Sequence, residues 1–198
     1  SFREQVRTFL VLLCQKLYDA QAKRLGIDHV MWHDEKMVFP DGNAEPAGDD
    51  AFMVKTAQKM YHEISPETGE FIDFMIDHEL MDLQNKPGKA STGYMTSLPS
   101  LKAPFVFSCF NHTIFDMQVL THELGHAFAG YMAMRSQPIS DYYSESTDIA
   151  EIHSMSMGDL HLELLHLLLR EYLCYNKVPR WIPLLQAHRA CYYTFPAE

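Results

Sequence analysis

Five consecutive residues, His122-Glu123-Leu124-Gly125-His126, constrain this chain more than any other feature. On an α-helix, positions four apart share one face. His122 and His126 then project side by side and can offer imidazole nitrogens to one zinc ion. Glu123 lies one step round the helix, where its carboxylate can act as general base on a water at the metal. With 11 His in 198 residues, composition alone produces the H-E-x-x-H pattern roughly 0.04 times. The bland alternative is a surface helix with two unrelated histidines, and the flanks argue against it. Phe115, Met117, Val119, Leu120, Leu124, Ala127, Phe128 and Tyr131 make the segment apolar and helical, with few breakers. A buried helix carrying two imidazoles and a carboxyl needs a partner that satisfies them, and a metal does so.

A catalytic zinc takes three protein ligands and leaves one position open. Two come from the motif; the third must come from another segment, and a carboxylate is the usual choice. The downstream candidates are Asp141, Glu145, Asp148, Glu151, Asp159 and Glu163. Asp141 lies at a turn, too close to the end of the motif helix to fold back. An antiparallel helix pair places residues about 25 positions later opposite His126, which points to Asp148 and Glu151. These two are three apart and share a face. Spacing leaves the choice between them open, against an ordinary solvated acidic face.

The bulk composition, 47% apolar and 21% charged, is that of a folded globular chain of about one domain. No apolar run reaches the ~18–20 residues that span a bilayer. Phe9-Leu-Val-Leu-Leu-Cys14 is too short for a secretory segment and reads as the core face of a helix. A net charge of −10 argues against nucleic acid and anionic membranes as partners. Cys14, Cys109, Cys174 and Cys191 form no C-x-x-C pair, which suggests buried thiols in a reduced, cytoplasmic protein. The chain starts at Ser1, and the expectation is that it begins within a longer reading frame or has been processed.

Along the chain, residues 1–25 have helical periodicity and stop before Gly26. Residues 27–48 are turn-rich. Asp49 or Asp50 is placed to cap a helix through Tyr61. Ser65-Pro66-Glu67 reads as an N-cap, a first-turn Pro and an acidic first turn, opening a helix that ends by Asn85. The period then changes: Gly93–Leu98 and Pro104–Phe110 read as two short strands. The motif helix covers about 113–135, and another helix starts near Ser144.

These segments also carry a resemblance. Ser65-Pro-Glu-Thr, Glu79-Leu-Met-Asp-Leu, Lys86-Pro-Gly-Lys-Ala and Pro104-Phe-Val-Phe-Ser-Cys-Phe-Asn are similar to runs of oligoendopeptidase F, in the thimet-oligopeptidase family of zinc peptidases. So are Thr121-His-Glu-Leu-Gly-His-Ala-Phe and Ser144-Glu-Ser-Thr-Asp-Ile-Ala-Glu-Ile-His-Ser-Met-Ser-Met157. The resemblance implies a mainly α fold, a helical zincin-type catalytic region with a small β hairpin or sheet. It implies His122, His126 and Glu151 as ligands of one zinc ion, Glu123 as the base, and short unstructured peptides as substrates. It further implies that the strand near Gly93-Tyr94 pairs with substrate backbone, and that further peptidase segments pack on this chain.

The pattern departs after Met157. The family carries Glu where this chain has Gly158, a position two turns beyond Glu151 and suited to steadying a ligand histidine. Residues 159–198 contain neither Met nor Gly and are dense in Leu. The expected organisation is therefore a partial catalytic domain over 1–157 and a Leu-rich tail over 158–198 of frameshifted or otherwise divergent origin. Weighed beside an active peptidase are a zinc-binding but impaired fragment and a helical interaction protein.

Overall fold

The computed structural model describes residues 1–43, 45–46 and 48–158; the tail expected over 158–198 lies, apart from Gly158, outside the described residues. The chain divides into two compact units, one from Ser1 to Ala44 and another starting at Glu45.

In the first unit, α1 (Phe2–Gln5) passes through a π-turn (Val6–Leu10) into α2 (Val11–Leu25). Gly26 ends α2 in the left-handed region at φ 73°, its N–H donating to the Ala22 carbonyl, a conformation that suits a residue without Cβ. The following loop is held to α2 by side chains. Gln21 Nε2 donates to the Asp34, Glu35 and Met37 carbonyls, and Arg24 Nε donates to the Val38 carbonyl at 2.7 Å. The apolar stripe does not form the core face expected from sequence. Only Ala22 of α2 is buried, while Phe2, Phe9 and Leu12 are exposed. Periodicity identifies the helix but not what covers its face. Cys14 is likewise exposed and Cys109 half-buried, so the expectation of buried thiols fails at both described cysteines.

In the second unit, α3 (Asp50–Ile64) and α4 (Pro66–Asp77) meet at one residue, Ser65. Asp49 caps α3 by accepting from the Phe52 N–H at 2.9 Å. Ser65 caps α4 reciprocally with Thr68, a capping box that satisfies two otherwise orphaned amides. α4 stops earlier than the sequence suggested. His78 is its C-cap and Glu79 turns left-handed at φ 53°. The chain thereby leaves the helix and enters β1 (Met81–Asp82), a strand the sequence did not announce.

β1 pairs in parallel with β3 (Ala103–Phe107), and β2 (Tyr94–Leu98) pairs antiparallel with β3 on its other side. The order β1-β3-β2 leaves β2 at an edge. The sheet packs against α5 (Ile114–Ser136), the helix that carries the motif. α5 buries one face through Met117, Leu120, Leu124, Ala127, Tyr131 and Met134, and Thr121, Glu123, Gly125 and Gly130 extend the burial beyond that face, the pattern of a central helix. Phe71 of α4 meets Phe128 and Tyr131 with ring centroids 5.3 and 5.4 Å apart. Burying such a ring contributes about 2–3 kcal/mol, so α4 and the sheet together fix α5 in place. After a 3-10 turn (Ser140–Tyr142), residues 147–158 form α6. The fold of the described residues is mainly α with one small sheet. No helix among them is long and apolar enough to cross a membrane.

Candidate metal centre

α5 starts where its N-terminal amides find acceptors. The buried Asp116 carboxylate accepts from the Thr113 N–H at 2.8 Å and from the Asn111 N–H at 3.1 Å. With the start fixed, helical geometry carries His122 and His126 to one face. Their rings stand edge to face, centroids 4.9 Å apart.

α6 supplies the third donor. Glu151 Oε2 lies 3.3 Å from His122 Nε2, and Oε1 lies 3.7 Å from His126 Nε2. One ligand atom from each of the three residues falls within 4.8 Å of the others. Asp148, the alternative that spacing left open, is exposed and outside this group. The backbone explains the convergence. A Cβ on Gly125 would sit 2.7 Å from Ser154 Cα, 3.0 Å from Met157 Cβ and 3.1 Å from the His153 carbonyl oxygen. Only glycine lets α6 come this close to α5, and the closeness brings Glu151 to the histidines.

Hydrogen bonds then orient the donors. The buried Ser154 hydroxyl donates to Glu151 Oε2 at 2.9 Å. His126 bonds the Ala150 backbone carbonyl, while burial and the nearby His122 lower its pKa. A neutral imidazole is the form that ligates metal. His153 Nε2 lies 2.9 Å from Glu145 Oε2, a link across the start of α6. Ser154 received no role from sequence; its position one turn after Glu151 was the available signal.

Glu123, next to His122 on α5, lies under the chain that leads into β2. It is buried. Burial first, then the Glu151 charge, push its carboxyl up to about 7, against the pull of the Met95 backbone amide. A Cβ on Gly93 would lie 2.9 Å from Val119 Cγ1 and 3.4 Å from Glu123 Oε1. The chain leading into β2 therefore passes directly over Glu123. The set comprises two imidazoles and a carboxylate that converge, with a carboxyl of raised proton affinity beside them. That composition suits a zinc ion with one open position.

The chain is similar to known peptidases. Residues 49–172 match the sequence model of Peptidase family M3. No curated protein matches the chain. Among solved structures, PZ peptidase A with an inhibitor is 39% identical over 96% of this chain and 33% of its own, with a TM-score of 0.84. A Bacillus anthracis protein assigned to oligoendopeptidase F is 36% identical over 94% of this chain and 33% of its own, also at 0.84. A Chlamydophila abortus peptidase, 21% identical with a TM-score of 0.60, shares the fold. This chain thus spans about a third of the length of these structures. With the family match running through the motif helix, the third donor and the strand over Glu123, the chain belongs to peptidase family M3.

Proposed function

We propose that the chain carries the catalytic portion of a zinc-dependent metalloendopeptidase that hydrolyses short, unstructured peptides. The observation behind this reading is the convergence of His122, His126 and Glu151 beside a buried carboxyl, Glu123, that holds its proton up to about 7. When bound, zinc would supply Lewis acidity toward a water and a peptide carbonyl. His122, His126 and Glu151 would hold the ion, with Ser154 steadying Glu151. Glu123 would take a proton from the attacking water and release it to the leaving amine. β2 has one neighbour, β3. Its other edge, unpaired among the described residues, offers backbone N–H and C=O groups to an extended peptide. Further peptidase segments, of the kind that fill the remaining length of the relatives, would pack on this chain and enclose the site.

One observation favours a second reading, a metal-binding chain of impaired turnover. Gly158 stands where the resembling pattern has Glu, and a Cβ there would meet no atom within 4 Å. The position is open at Cβ, and glycine places no carboxylate there.

A quenched fluorescent peptide assay with metal analysis separates the readings. The peptidase reading expects about one zinc per chain, cleavage by the wild type, and loss of cleavage with zinc retained in Glu123→Gln. Equal rates in the two proteins would support the impaired reading. A chain that binds no zinc, with no change on His122→Ala, would overturn both.

A further inference from the structure

Lys89 carries a charge that the proposed chemistry does not use and that water hardly reaches; its side chain is 6% exposed. Lysine is seldom buried unless its ammonium is paired. Here all three N–H groups have acceptors. Nζ lies 3.0 Å from Asp82 Oδ1 and donates to the backbone carbonyls of Asp82 at 3.0 Å and Gln84 at 2.7 Å. The same ammonium sits 4.5 Å from the centroid of the Phe107 ring, within cation–π range. Lys86-Pro87-Gly88-Lys89 forms the turn that aims it inward. The Lys89 N–H donates to the Lys86 carbonyl at 3.0 Å, and Gly88 has φ +82°. That is a type II turn, with Pro and Gly in the positions that favour them.

Phe107 is also the register partner of Tyr94, and the two rings stack at 4.9 Å. Lys89 thus ties the loop between β1 and β2 both to the end of β1 and to the ring that carries the first residue of β2. Residues 90–92 are exposed, and Thr92 bonds only the adjacent Gly93 carbonyl, so Lys89 is the last side chain tied to β1 and Phe107 before Gly93 passes over Glu123.

We propose that Lys89 is a positioning residue for substrate, fixing the β2 edge over Glu123 and so setting how firmly an extended peptide pairs with it. The proposal rests on the reading above, in which β2 receives the peptide backbone and Glu123 moves the proton. Loss of the ammonium would release residues 90–94, while the donors on α5 and α6 stay in place.

The test uses the 198-residue chain as wild type, Lys89→Met, which keeps the aliphatic stem, and Lys89→Arg, which restores the charge. In Lys89→Met, amide hydrogen exchange across residues 93–98 is expected to quicken about tenfold or more, with α3 unchanged. KM is expected to rise about tenfold with kcat within about twofold and zinc affinity unaltered, because uniform binding is what is lost. Lys89→Arg is expected to recover most of both. Unchanged exchange at 93–98, equal acceleration in α3, or a fall in kcat at constant KM would overturn the proposal. A zinc-loaded wild type without turnover would sink the peptidase reading instead, and exchange at 93–98 then decides the clamp by itself.

Discussion

Gly125→Ala separates the two helices that build the proposed metal site, and the structure indicates the size of the effect. The new methyl carbon would sit 2.7 Å from Ser154 Cα. Ordinary contact starts at 3.4 Å, so α6 must retreat by about 0.7 Å, and the obstacle is backbone that cannot rotate aside. Overpacking of this kind costs about 1–3 kcal/mol, offset by about 1 kcal/mol of helix propensity gained over glycine. The metal-free chain should therefore lose roughly 0–2 kcal/mol of stability. The metal site should lose more. Glu151 moves with α6 while His122 and His126 stay on α5, and metal–ligand distances tolerate only about 0.2 Å. We expect zinc affinity, measured by competition with a chromogenic chelator, to fall about 10–100-fold, comparable with losing a supporting group. By linkage, the stabilisation gained at saturating zinc should shrink by about 1.4–2.7 kcal/mol. Gly130→Ala is the control on the same helix, because its Cβ would meet Ser97 Oγ at 3.5 Å and Met95 Cε at 3.6 Å, ordinary contacts. It should leave zinc binding unchanged. If Gly125→Ala bound zinc as tightly as wild type, the close approach of the helices would not be what delivers Glu151, and the reasoning would fail.

Two further substitutions probe the supports. Ser154→Ala removes the 2.9 Å hydrogen bond to Glu151 Oε2; at about 1 kcal/mol for such a bond, zinc affinity should drop roughly fivefold, and isothermal titration reads it directly. Asp116→Ala leaves the Asn111 and Thr113 amides at the start of α5 without their carboxylate; thermal unfolding should reveal about 1–2 kcal/mol of lost stability, with apo and zinc-loaded chains shifted alike.

The motif helix was legible because its signals are local. The Asp116 carboxylate caps it, and the i,i+4 histidines need only helical geometry to share a face. Ser65-Pro66-Glu67 was legible for the same reason. Features that depend on partners were not. Glu79 leaves α4 with a positive φ, a cost that no local propensity advertises and that pairing of β1 with β3 offsets. The apolar stripe of α1 and α2 has helical periodicity, yet periodicity cannot say whether anything covers it. Glu151 and Asp148 are equivalent by spacing; they differ only because Gly125 sets where α6 meets α5.

That dependence separates metal binding from turnover in this chain. The three donors, Ser154, Gly125 and the caps of α5 all lie between residues 113 and 154, on two helices in direct contact. Nothing in that set draws on the two thirds of the relatives' length that this chain does not span. Turnover asks for more, because a peptide must be held over Glu123, and the described residues offer it one strand edge. Catalysis depends on interactions made in the transition state, and donors aimed at the developing oxyanion are often the largest of these. Zinc affinity should therefore be governed by α5 and α6, whatever the rate of cleavage. An impaired chain would then differ from an active one either at Gly158, close to the donors on α6, or in what surrounds the peptide.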